Sequence, residues 1–167
     1  MRSVSYAWMI LLAILSAFAQ EERGKAELDG PGASVTVNYG RPSLKGRDMI
    51  SKLSVGDYWR LGKDNVTILS STANLFFGAT QIGPGSYSLW LKRVAPEKYD
   101  LVFNRQTTGH GMVHKADLDV TSVPLNKATL SDSVEILRLE LKPASRGGSL
   151  VISWATAELV ADFQFGK

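Results

Sequence analysis

The sequence predicts an all-β protein: a single antiparallel β-sandwich, jelly-roll-like, or a barrel, built from about eight or nine short strands. Three observations carry this. Apolar and polar residues alternate with period two in many short stretches, the pattern of strands that bury one face. Turn residues separate those stretches, with 15 glycines and 6 prolines spread along the chain. Helical spacing of apolar residues occurs in one short segment, Asp48 to Leu53. A parallel α/β sheet would need a helix between successive strands, and the sequence has no room for them.

Taken in order, residues 1–19 read as a signal peptide. Arg2 is the positive start, Trp8 to Leu15 the apolar core, and Ala17-Phe18-Ala19 a small-x-small cleavage site. The apolar run is shorter than the roughly 20 residues of a spanning helix, so no membrane span is expected after cleavage. Residues 20–32 are polar and Gly-rich and read as a flexible lead-in. One domain is expected over residues 33–166.

Within it, Ala33 to Tyr39 alternates cleanly, and Gly40-Arg41-Pro42 ends the strand because proline cannot donate to a ladder. Lys45-Gly46-Arg47 reads as a turn and residues 48–53 as a short helix. Strands follow over 65–70 and 75–82. Gly83-Pro84-Gly85 is a turn, since Pro presets one φ and Gly admits a positive one. Further strands are expected over 86–91, 99–104, 118–123 and 134–141, with a turn at Pro96 to Lys98 and a Gly- and Thr-rich loop from Arg105 to Lys115. Leu150 to Trp154 and Glu158 to Phe165 read as a closing hairpin.

Composition bounds function. The formal net charge is +3, and the Lys and Arg residues are scattered, which argues against a nucleic-acid partner. There is no cysteine, so disulfides and thiol attachment of lipid are excluded. A domain of this size buries roughly 68–70% of its unfolded surface and needs no such staple.

One stretch stands apart. Tyr58 to Thr67 holds two aromatics, a guanidinium, a carboxylate and a carboxamide where the alternation breaks down. Irregular backbone needs polar partners, and Arg60, with five donors in a planar fork, suits that need. Bonds from Arg60 to Asp57, Asp64 or nearby carbonyls are expected. Tyr39 and Arg41, at the exit of the first strand, are its expected neighbours.

These residues carry a resemblance. Val35 to Pro42, Lys45-Gly46-Arg47, Trp59-Arg60 with Gly62 and Thr67, Pro84 to Leu89, Asn104-Arg105, and Leu150 to Trp154 occur in this order. In that combination the chain resembles DUF2911, a bacterial family of exported proteins of unknown function. Two departures stand out. Leu61 occupies the place of a threonine, and Asp64-Asn65 stands where Asn-Glu is usual, so that Asp64 offers the neighbouring carboxylate. The resemblance implies a β-rich exported domain and no particular activity.

The candidate ligand-binding residues are therefore Tyr39, Arg41, Tyr58, Trp59, Arg60, Asp64 and Asn65. Arginine forks bind carboxylate or phosphate, and the aromatics supply stacking walls. His110 and His114 have helical metal-pair spacing, but Gly109 and Gly111 oppose a helix and a third ligand is lacking; no metal and no cofactor are expected. No nucleophile motif is present and no carboxylate pair is singled out, so no catalytic residue is assigned. Tyr87, Leu89, Trp90 and Trp154 read as core or sheet-face residues. The favoured function is a non-catalytic binding or scaffold module of the cell envelope, periplasmic or extracellular, with an unidentified small-molecule or envelope partner. The alternatives are a hydrolase-like enzyme and a purely structural interaction domain.

Overall fold

The structure, a computed structural model, describes residues 23–166. The expected signal peptide lies outside the described residues. Ten strands form one antiparallel sheet: β1 (Arg23–Gly30), β2 (Ala33–Gly40), β3 (Tyr58–Trp59), β4 (Ile68–Ser71), β5 (Leu75–Phe77), β6 (Thr80–Ile82), β7 (Gly85–Ala95), β8 (Lys98–Asn104), β9 (Asp119–Ala144) and β10 (Gly147–Phe165). The path runs β1-β2-β4-β7-β8-β9-β10-β5-β6, with β3 paired to β7 off the path. The end strands β1 and β6 do not pair with each other, so the sheet is not closed into a barrel. No helix among the described residues is long and apolar enough to cross a membrane.

Strand β9 is the fold line. Its first part, to Leu125, pairs with β8, and the part from Asn126 onward pairs with β10. The sheet turns back on itself there, and β1 and β2 come against β9. A main core results, with Val35, Val37, Leu69, Leu89, Leu101 and Phe103 from one side meeting Leu137, Leu139, Ile152, Leu159 and Phe163 from the other, and a smaller cluster of Val66, Trp90 and Val102 lies apart from it. Alternation along each strand decides which residues enter that core.

Among the described residues one α-helix forms, α1 (Met49–Lys52), where expected, and a 3-10 turn spans Ala116–Leu118. Asp48 caps α1 by accepting hydrogen bonds from the Ile50 and Ser51 amides at 3.0 and 3.2 Å. Ile50 is buried, and the Tyr99 hydroxyl donates to its carbonyl.

Four expectations change. From residue 23 the expected flexible lead-in is a strand: residues 23–30 form β1, an eight-residue partner of β2. Only Ala26 and Leu28 in it pack on the core, which is why charge and glycine hid the alternation. Residues 75–82 form a hairpin rather than one strand, because Gly78 takes a φ of +59° between β5 and β6. Residues 150–165 form one strand rather than a hairpin. Ala155, at φ +50°, sits in a pair of register shifts that bend β10 without reversing it. Finally, β9 and β10 are 26 and 19 residues long, not short.

Candidate functional site

The central stretch begins in register with the sheet. Tyr58 pairs with Lys92 and Trp59 with Leu91. The backbone then leaves the ladder, with positive φ at Leu61 (+48°) and Asp64 (+60°). Such conformations are unfavourable for non-glycine residues and persist where surroundings over-determine them. Here Leu61 is fully buried, and the Thr67 hydroxyl, also buried, donates to the Leu61 carbonyl at 2.7 Å.

Two glycines let this turn lie on the end of β2. A β-carbon on Gly40 would stand 2.1 Å from the Lys63 carbonyl oxygen; one on Gly62 would stand 3.1 Å from the Gly40 carbonyl oxygen. The expected partnership of residues 39–42 with the central stretch is real, but backbone contact at glycine makes it. Tyr39 is buried, and its ring lies over Gly24, its cross-strand partner. Arg41 is exposed.

The guanidinium that holds the stretch comes from β1. Arg23 donates through Nε to Asn38 Oδ1 at 2.5 Å and through Nη2 to the Asn38 and Val66 carbonyls, both at 3.3 Å. Burial lowers its pKa, opposed in part by the field of Asp64.

Arg60 reaches across to a different segment. Its Nη1 donates to the His110 carbonyl and lies 3.5 Å from Met112 Sδ. The loop between β8 and β9 is thus docked on the central stretch, and the Val66 amide adds a bond to the Gly109 carbonyl at 3.1 Å. Gly111, at φ +56°, permits the approach: a β-carbon there would fall 2.6 Å from Val66 Cγ1. Arg60 therefore bonds a carbonyl about fifty residues away, not Asp57 or Asp64, which are exposed.

The same loop delivers His114. Its ring stacks on Tyr58 (centroids 3.8 Å apart, 14° between planes) and meets Trp90 edge-on at 5.0 Å. Its Nε2 is 2.8 Å from Asp119 Oδ1. That oxygen also accepts from Asn104 Nδ2 at 2.7 Å, and Asn104 is fully buried with its Oδ1 accepting from the Gln106 amide. On the far face of Tyr58, Lys92 Nζ lies 4.9 Å from the ring centroid. Hydrogen bonding with the Tyr58 hydroxyl raises the Lys92 pKa.

A cleft of about 530 Å³ opens between these parts. Aromatic rings make its interior: Tyr58, Trp59, Trp90, Trp154 and the imidazole of His114. Trp59 and Trp154 lie parallel with centroids 5.1 Å apart. One wall is the segment from Pro42 to Met49, fastened to β9 by bonds from the Leu44 amide to the Glu135 carbonyl and from the Leu137 amide to the Pro42 carbonyl. It contributes Lys45 and Arg47, and the central stretch contributes Arg60 and Lys63. No Asp or Glu lines the cleft among the described residues.

Of the seven candidates, Tyr58, Trp59 and Arg60 meet at this cleft. Tyr39 belongs to the core, and Arg41, Asp64 and Asn65 are exposed and do not line it. Sequence reasoning missed Lys45 and Arg47 as cleft residues, although their turn was noted, and it set His114 aside with the rejected metal pair. Among the described residues no cluster of three or more metal-ligating side chains is present.

Comparison with curated proteins and with solved structures gives no match to this chain. A family model does match, over residues 22–163, nearly all of the sequence whose fold and cleft are described above. The chain belongs to DUF2911, a family of proteins of unknown function.

Proposed function

We propose that the domain is a non-catalytic binding module of the cell envelope that takes an anionic ligand with a flat or apolar ring face into this cleft. The observation that carries the reading is the composition of the lining among the described residues: four cationic side chains, aromatic rings, and no carboxylate. Cations attract and fork an anion, while Trp and Tyr faces stack on a ring and exclude water. The volume falls in the usual range for small-molecule clefts. Export rests on the amino-terminal pattern of residues 1–19; mass analysis of the amino terminus of cell-envelope material tests it, and an intact Met1 there argues against it.

Calorimetric titration with phenyl phosphate at low salt tests the binding reading. Binding is expected, weakening as salt rises because the cations are near the surface. Lys45→Ala with Arg47→Ala should weaken it by about tenfold or more, the scale of losing a charge-assisted bond. Failure of the wild-type protein to bind phenyl phosphate and every other ring-bearing anion tried at millimolar concentration would remove the proposal.

A further inference from the structure

Within that reading, which this inference rests on, His114 carries information about the ligand. Its side chain is 8% exposed, held by Tyr58 on one face, Trp90 at the edge and Asp119 at Nε2, yet it lines the cleft. A carboxylate oxygen accepts, so the Nε2 facing Asp119 carries the hydrogen. In the tautomer with that hydrogen on Nε2, the lone pair lies on Nδ1. No described residue bonds Nδ1. The stacking and the Asp119 bond prevent the ring from turning to offer the other nitrogen.

The cleft's charged groups, Lys45, Arg47, Arg60 and Lys63, are all donors. His114 is thus a fixed acceptor in a lining dominated by donors and rings. A ligand that satisfies both needs an anionic group for the cations and a hydrogen-bond donor for Nδ1, with an apolar face between them for the indoles. A pyranose with an anionic substituent has all three: equatorial hydroxyls that donate, axial C–H faces that stack on Trp, and the charge. An aromatic anion without hydroxyls has two of them and would leave Nδ1 unsatisfied, which costs affinity.

We propose that His114 is the specificity-determining acceptor of the cleft and that the ligand class is an anionic sugar, a sugar phosphate or a sugar acid. Calorimetry with four probes tests this: glucose 6-phosphate against cyclohexyl phosphate, and glucuronate against cyclohexanecarboxylate. The wild-type protein should bind at least one sugar about tenfold more tightly than its hydroxyl-free counterpart, and which pair shows the preference tells phosphate from carboxylate. His114→Phe keeps the stacked ring and removes the acceptor. It should abolish the preference, bringing each sugar and its hydroxyl-free counterpart to within about twofold of one another in the variant. Nitrogen NMR of the wild-type ring gives a second reading that needs no variant: the Nδ1 resonance should move on adding the preferred sugar and stay in place with the hydroxyl-free probe. Equal affinity within both pairs, a preference that survives in His114→Phe, or an Nδ1 resonance unmoved by sugar would overturn the inference and leave anion binding intact. Absence of binding by all four probes, and by phenyl phosphate, would overturn the anion reading itself.

Discussion

Gly40 and Lys63 meet backbone to backbone: a β-carbon on the glycine would lie 2.1 Å from the lysine carbonyl oxygen and 2.8 Å from its nitrogen. The cleft wall formed by the central stretch depends on that approach. Backbone on both sides leaves nothing flexible to yield. Gly40→Ala should therefore destabilise the fold by about 3 kcal/mol or more, at the upper end for overpacking. Gly83→Ala, where the nearest atom is the Tyr87 hydroxyl at 3.7 Å, should stay within about 0.5 kcal/mol. Denaturant melts of both variants check the contrast.

Two arginines separate structure from surface. Arg23→Ala removes donors to the Asn38 side chain and to the Asn38 and Val66 carbonyls. A loss of about 1–2 kcal/mol is expected, below the full value of charged hydrogen bonds because the group is partly solvated. Arg41→Ala should change stability by less than about 0.5 kcal/mol. Thermal or chemical melts showing Arg41 as the costlier change would contradict this arrangement.

The loop carrying His114 is held by Arg60. Because Arg60 is half-exposed and bonds a carbonyl rather than a buried carboxylate, Arg60→Ala should cost about 1–2 kcal/mol, not the 3–5 of a broken buried ion pair. The clearer readout is local. Limited proteolysis should cut between residues 109 and 113 faster in the variant. Unchanged cleavage would mean that the Val66–Gly109 bond alone suffices.

Asp119 serves two donors with one oxygen, so its removal strands His114 Nε2 and weakens the hold on Asn104. Asp119→Ala should cost about 1–3 kcal/mol. In a double-mutant cycle with His114→Ala the two effects should fall short of additivity, since one bond is shared. Additive losses would show that the pair is not coupled.

At the turn between β7 and β8, hydrogen bonding with Lys127 holds the Glu97 carboxyl below its ordinary pKa, helped by the fields of Lys127 and Arg93. A depressed carboxylate pKa contributes stability above its unfolded value, and that contribution fades as pH falls through the folded one. The group is fully exposed, so the effect is expected in its titration rather than in the global melt. NMR titration of Glu97 should show a low midpoint that Lys127→Met returns upward.

The strands over 33–39, 86–91, 99–104 and 134–141 were legible because alternation is a local property, written within each segment. Strand β1 was not, because its claim to the sheet rests on Gly24 lying under Tyr39 and on Arg23 reaching Val66, contacts between segments. The bend at Ala155 left no mark either, since nothing in the sequence asks for a positive φ there. At the site, residue chemistry singled out Tyr58, Trp59 and Arg60, which the fold brings together at the cleft. Asp64 and Asn65 are exposed and do not line it, although Gly62 and Lys63 just before them do. His114 and Asp119 acquire meaning only when the loop folds over Tyr58, and glycines flanking His110, which rightly ruled out a helix, concealed the docking they permit.

The shared strand β9 also bears on the order in which the chain assembles. The hairpin it makes with β10 is closed by two residues, Ser145 and Arg146, and forms without gathering distant chain. Other pairings demand long closures: residue 75 must find residue 165, and β1 must travel back across the opposite layer. Such closures lose much loop entropy before any burial compensates. The β9–β10 hairpin is thus a natural nucleus, as are the β1–β2 and β7–β8 hairpins, which two-residue turns also close, and the long closures that join these hairpins into one sheet come after them.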